Sequence, residues 1–252
     1  MFRFLRHIRQ DLAEGHTLPK YLPYAVGEVL LVMLGILLAL QVNNWNENRQ
    51  QRKQELEILN DLRLNLIDSR AQIASAYDDN LISIDDYRKL ASIIEQDLPY
   101  SNDLDSIFGN LPYWTTPYLT YTAYETLRNQ GIDIVENDDL KNKIVFIYEN
   151  RFAFITGDWD RWEWNINQDI TMPYFNEHIE GSLFDRYLAQ PNDFEQLKAD
   201  QHFRNLLGVL YRTRSWGIEL SESTLHDLDE LISDLNAELT ERGFMMTKSS
   251  PY

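Results

Sequence analysis

The chain has no cysteine in 252 residues. That excludes disulfides, thiolate zinc sites, iron–sulfur clusters and cysteine nucleophiles. Glycine and proline are scarce, 10 and 8 residues, about 7% together against an average near 12%. So few chain-turning residues argue against many-stranded sheets and Gly-rich phosphate loops. Positive charge is also short: 23 Lys and Arg face 40 Asp and Glu, a net charge of −17. Such an acidic chain lacks the Lys and Arg that non-specific nucleic-acid binding uses to neutralise phosphates, so no nucleic-acid partner is expected. The motifs GxSxG, GxxxxGK[ST] and GxGxxG are absent, which removes the common hydrolase and nucleotide-binding signatures. The histidines His7, His16, His178, His202 and His226 form no HxxxH or HExxH pair. Carboxylate pairs such as Asp78-Asp79 and Asp85-Asp86 are what chance supplies in so acidic a chain. No catalytic residue, metal site or cofactor is nominated.

What the sequence does have is one apolar run. Val29 to Leu40 are twelve residues without a polar side chain, and Tyr21–Val42 is interrupted by only Pro23, Glu28 and Gln41 among the unfavourable types. A membrane-spanning helix needs about 20 mostly apolar residues. Tyr21 and Tyr24 on one side and Trp45 on the other supply interfacial aromatics. From Tyr21 to Trp45 a helix covers about 36 Å at 1.5 Å per residue. A cleaved signal peptide fits poorly, because Ala39-Leu40-Gln41 puts Gln where a small residue belongs. The expected organisation is a cytoplasmic basic amphipathic segment over 1–20, a transmembrane helix over 21–42 and an extracytoplasmic helical domain over 43–252.

Orientation rests on the flanks. Arg3, Arg6, Arg9 and Lys20 precede the run; Arg49, Arg52 and Lys53 follow it. Counting Lys and Arg gives a slight bias toward a cytoplasmic N-terminus. The large domain is then periplasmic, in a bacterial inner membrane crossed once. In residues 1–14, Phe2, Leu5, Ile8 and Leu12 make an apolar stripe with Arg3, Arg6 and Arg9 off it. This reads as a short helix on the membrane surface or as a basic tail that only sets topology.

Glu28 lies seven residues into the run, at a depth of about 10 Å. A carboxylate there wants a partner or a route to water. Gly27 beside it and the i,i+4 pair Gly35 and Ala39 admit close approach of a second helix. Gly27, Glu28, Gly35 and Ala39 are therefore the candidate membrane-helix contact, with a homo-oligomer or a membrane protein as partner beyond the lipid bilayer. The alternative is a Glu28 that is protonated or snorkels to the interface.

Several of these residues fall in a longer pattern. Lys20-Tyr21-Leu22, Tyr24-Ala25, Gly27-Glu28, Leu31-Val32, Gly35-Ile36-Leu37, Ala39-Leu40-Gln41 and Asn43-Asn44-Trp45-Asn46-Glu47 together resemble the N-terminal signature of a family of uncharacterised single-pass membrane proteins of Gram-negative bacteria. The resemblance is close over roughly residues 1–60 and looser around Ala123–Leu127 and Ile134–Asn137. It implies a single membrane pass and no activity. Glu28 matches the family's motif glutamate, without a role to carry over.

Beyond Trp45 the pattern is helical. Leu56, Leu59, Leu62, Leu66, Ile73, Tyr77, Leu81, Ile84, Tyr87, Ala91 and Ile94 advance by threes and fours, with Arg70 in the gap. No Gly or Pro occurs between Gly35 and Pro99. One helix over about 43–97, continuous with the span, would couple membrane position to domain position. A loop with Pro99, Gly109, Pro112 and Pro117 follows, then a short helix over about 118–130 stopped at Gly131. Asn137 opens a helix predicted over 137–171, ending before Pro173. The last helix is predicted over 193–241, with Phe203, Leu207, Leu210, Arg214, Ile218, Ser221, Leu225, Leu228, Ile232, Leu235 and Leu239 on one face. The fold class is all-α: the span followed by an extended antiparallel bundle with coiled-coil-like packing.

Two aromatic groups stand out. Gly157–Trp164 holds Trp159, Trp162 and Trp164 with three carboxylates. It reads as aromatic core with a solvated acidic face, or as a ligand pocket; the alternating oxygens and distal Glu of a calcium loop are missing. Arg214, inside an apolar stripe, either packs its stem with the guanidinium in solvent, pairs with a buried carboxylate, or lines an anion site. Trp159, Trp162, Trp164 and Arg214 are the candidate pocket. Tyr113, Trp114, Tyr118, Tyr121 and Tyr124 form the other group, a peptide or glycan surface or a plug at one end of the bundle. Function divides between a membrane-anchored, non-enzymatic assembly protein and a sensor-type ligand-binding bundle.

Overall fold

The computed structural model describes residues 18–246 of the chain. The amphipathic reading of residues 1–14 lies outside the described residues. The chain divides into two compact units, residues 1–54 and 55–252. The protein is mostly helical: a long N-terminal helix is followed by further helices and one short hairpin.

Helix α1, Leu18–Glu95, is unbroken for 78 residues, with Pro23 in its first turns. Within the first unit every residue from Val26 to Gln54 is exposed. This helix is long and apolar enough to cross a membrane. On it, Leu31 and Leu38 are 73% and 66% exposed.

In the second unit α1 packs antiparallel to the last long helix. Glu55, Arg70 and Arg88 of α1 meet Arg242, Asp229 and Tyr211 in turn. As one helix advances the other retreats. Between them come α2 (Asp105–Asn110), entered by a 3₁₀ turn at Asn102–Leu104, and α3 (Thr122–Gln130). Helix α3 stops at Gly131, whose φ of 98° suits glycine. A continuous helical segment then runs over 138–178, through α4 (Asp138–Phe146), α5 (Asp160–Ile166) and α6 (Met172–His178). Asn137 caps it as expected, accepting from the Leu140 amide at 3.2 Å.

This segment passes Pro173 instead of ending before it. Three π-helical turns, Ile147–Phe152, Phe154–Trp159 and Asn167–Thr171, interrupt the α-helix. Pro173 follows directly on the third π turn, where bonding has already shifted from i−4 to i−5: the Met172 amide donates to the Asn167 carbonyl. Strands β1 (Ile179–Gly181) and β2 (Ala189–Pro191) form an antiparallel hairpin in register Glu180 to Gln190. The expected 193–241 helix is two helices, α7 (Phe194–Ala199) and α8 (Gln201–Glu241). The break is Asp200, whose extended backbone and carboxylate cap α8 through the His202 amide at 2.8 Å.

The core falls into two apolar clusters. One gathers Leu59, Leu62, Leu66 and Ile73 of α1 with Leu228, Leu235 and Leu239 of α8 and with Ile144, Tyr148 and Phe152. The other gathers Ile84, Leu90 and Ile94 with Phe108, Phe194, Phe203 and Leu210. Between them the buried positions turn polar or small: Asn80 on α1, Glu163 and Asn167 on the middle segment, Thr213, Arg214, Ser221 and Thr224 on α8.

Candidate functional site

That polar layer is built around one ion pair. Arg214 and Glu163 contact each other with each side chain only 1% exposed. The Arg214 Nη2 also donates to the Tyr113 carbonyl at 2.7 Å. The Tyr87 hydroxyl lies close to the guanidinium, outside hydrogen-bonding geometry. Burial pushes the Glu163 carboxyl above its ordinary range, and Arg214 opposes that shift without cancelling it. Burial likewise raises Tyr87. Arg214 thus does not send its guanidinium to solvent, as the snorkelling reading required; it is the buried half of a pair.

The layer holds down the irregular strap between α2 and α3. Asn167 Nδ2 donates to the Pro112 carbonyl, and Asn80 Nδ2 donates to the Thr115 carbonyl at 3.5 Å. Trp114 Nε1 and Thr116 Oγ1 both donate to Asp160 Oδ1, at 2.9 and 2.5 Å. The Thr120 amide donates to Ser69 Oγ at 3.1 Å, and the Ala123 amide to Asn65 Oδ1 at 2.9 Å. Side chains from three long helical segments therefore satisfy a backbone that has no ladder of its own. The aromatic strap crosses the middle of the bundle and does not plug its end. Tyr121 and Tyr124 turn inward, and Tyr124 stacks on Tyr148 with centroids 4.3 Å apart.

The four residues of the candidate pocket do not converge. Trp159 is buried against Gly217 and donates to the Thr213 carbonyl at 3.3 Å. Trp162 and Trp164 are each 55% exposed, and Trp164 meets Trp114 edge-on at 6.0 Å. The displacement follows from the π turns. They widen the helical repeat, so the buried face runs through Ile155, Trp159, Glu163 and Asn167 rather than through the positions an α-helix would bury. Glu163, overlooked in the sequence as one acid among forty, is the residue the register brings inside.

On the apolar helix, Glu28, Gly35 and Ala39 fall within about 40° of one another at 100° per residue, while Gly27 stands about 80–100° from Gly35 and Glu28. Gly27 is therefore off the face the other three share. All four positions are exposed, and neither Gly27 nor Gly35 has another group within reach of an added Cβ.

Compared with models of protein families, with curated proteins and with solved structures, the chain matches none.

Proposed function

We propose that this is a membrane-anchored interaction protein without catalytic chemistry of its own. Its span associates with a second copy or with the helix of a membrane partner. The observation that carries the reading is the face of Glu28, Gly35 and Ala39 on a fully exposed apolar helix. Small residues admit a close neighbour, and a carboxylate in hydrocarbon gains from a partner there. The polar interior of the bundle supports the same reading: Arg214 pairs with Glu163 and donates to the strap at the Tyr113 carbonyl. We further propose a bacterial inner-membrane location with the N-terminus cytoplasmic and the helical domain periplasmic, on the slight Lys and Arg excess before the span. The N-terminal signature, which resembles that of single-pass Gram-negative membrane proteins, supports this placement.

Cross-linking in native membranes tests the assembly. Glu28→Leu, which removes both charge and hydrogen bonding, is expected to reduce cross-linked species strongly. Glu28→Gln, which keeps the hydrogen bond, should reduce them less, and Gly35→Leu should reduce them by steric exclusion. A wild-type ladder in all three variants would leave the span a plain anchor.

A sensor-type bundle is the second reading, favoured by one observation. Tyr87, which borders the Arg214–Glu163 pair, also lines a groove open to solvent.

A further inference from the structure

On the outer face of the second unit, α1 and α8 leave a groove of about 370 Å³ between them. The size is that of a small-molecule site. Its cause is local: Ala91 on one helix and Gly208 on the other contribute almost no side chain where a bundle would place large ones. Ile94 and Leu207 complete an apolar floor.

The rim is cationic. Arg88, Arg204 and Arg212 all line the groove, in a chain whose acids outnumber its bases 40 to 23. Two of the three are partly engaged. Arg88 donates to Asp85 at 3.1 Å and to the Tyr211 hydroxyl at 3.2 Å. Arg204 donates through Nε and Nη2 to the Lys198 carbonyl. Arg212 forms no hydrogen bond or ion pair among the described residues. Its own helix offers none, because Gly208, Val209, Ser215 and Trp216 hold the i±3 and i±4 positions where an acid would sit. Its Nη1 lies instead over Gly208, 3.4 Å from where a Cβ would be.

We propose that this groove binds an apolar monocarboxylate of the medium-chain fatty-acid class. The hydrocarbon lies on Ala91, Ile94, Leu207 and Gly208, and the carboxylate takes the planar fork of Arg212, with Arg88 and Arg204 adding positive potential. Glu95 on the same wall and the net charge of −17 weigh against dianions such as phosphate monoesters. The site stands independently of how the span assembles.

The test is calorimetric titration of decanoate into the full-length protein in phosphatidylcholine nanodiscs, with the heat of empty nanodiscs subtracted. Saturable one-to-one binding is expected. Decanol, with the chain but no charge, and acetate, with the charge but no chain, should bind at least about tenfold more weakly. Arg212→Gln should weaken decanoate about tenfold, the usual loss for a charge-assisted hydrogen bond, and Arg212→Lys should restore part of it. Gly208→Leu should abolish binding by filling the groove. If Gly208→Leu does not melt as wild type does, the exposed Arg212 variants and the decanol comparison decide. No saturable heat, equal affinity for decanol, or an unchanged Arg212→Gln overturns the proposal. So does an acidic peptide that saturates the groove while decanoate does not. Cross-linking of the span is expected to be the same in all these variants, so failure here is distinct from failure of the assembly reading.

Discussion

Arg214 and Glu163 are opposite charges removed almost wholly from water, and their energetics are asymmetric. Desolvating two ions offsets much of their attraction, so the intact pair adds little net stability, whereas removing one partner strands the other. Arg214→Met should therefore cost about 3–5 kcal/mol, and it also releases the Tyr113 carbonyl. Arg214→Met combined with Glu163→Leu should cost clearly less than the two single changes together. Chemical denaturation of the full-length protein in detergent, followed by tryptophan fluorescence, measures this; additive costs would mean the charges do not act as a pair. The pH dependence has a definite sign. Burial raises the folded Glu163 value above the ordinary 4.5, so protonation favours the fold. Its contribution is fully present below 4.5 and is lost as pH rises through the raised value. Relative to Glu163→Gln, wild type should gain stability on going from neutral pH to pH 4. The opposite slope would show that Arg214 outweighs burial. Sequence patterning placed Arg214 on the buried face correctly, since it interrupts a helical apolar stripe. It could not supply Glu163, because pairing is a long-range fact and a buried acid looks like any surface acid in the chain.

The helices pack with a shorter repeat than the sequence stripes suggest. Buried α1 positions Glu55, Leu59, Leu62, Leu66, Ser69, Ile73, Ala76 and Asn80 alternate steps of four and three, as do Gly217, Ser221, Thr224, Leu228, Leu231 and Leu235 on α8. That is the 3.5-residue repeat of a left-handed coiled coil. It explains where apolarity misled. Tyr77, Leu81, Ile218, Leu225 and Ile232 lie one residue beside the true seam, whose members there are Ala76, Asn80, Gly217, Thr224 and Leu231. Both apolar ends of the bundle were legible, because there the seam residues are themselves apolar. The middle was not, because its seam is polar and small to receive the strap and the Trp159 ring. Gly217 is the tightest point of that seam: a Cβ would lie 2.5 Å from Trp159 Cζ2. Gly217→Ala should accordingly lose about 1–3 kcal/mol through overpacking, despite the higher helix propensity of alanine. Adding Trp159→Leu to Gly217→Ala should cost less than the two separate effects predict, as thermal melts followed by circular dichroism would show. A Gly217→Ala protein as stable as wild type would mean that the indole moves aside freely.

At the scale of the molecule, one helix, α1, contributes to both units, and the two units need different solvents. The first presents apolar side chains over its whole circumference from Val29 to Leu40 and is at home in hydrocarbon. The second closes on itself, with Glu55 as its first residue; 1% exposed, it accepts from the Glu136 amide at 2.9 Å and from Arg242 at 2.6 Å. Of the acidic residues, 37 follow Val42. Acidic residues contribute little to the orientation of a span, whereas Lys and Arg near its ends decide it. Four of those basic residues precede the run, at positions 3, 6, 9 and 20, and three follow it at positions 49, 52 and 53. The bias is one charge. On the proposed orientation, with the N-terminus cytoplasmic, this bias exports the bundle. Alkaline phosphatase fused after Tyr252 should then be active and a fluorescent protein at the same site dark. Removing two charges, with Arg3→Gln and Arg6→Gln, reverses the count to two against three and should shift part of the population to the opposite pair of readouts. A wild-type fusion that is dark for phosphatase and fluorescent for the second reporter would place the bundle in the cytoplasm, and would leave the proposed contact at Glu28 to its own test.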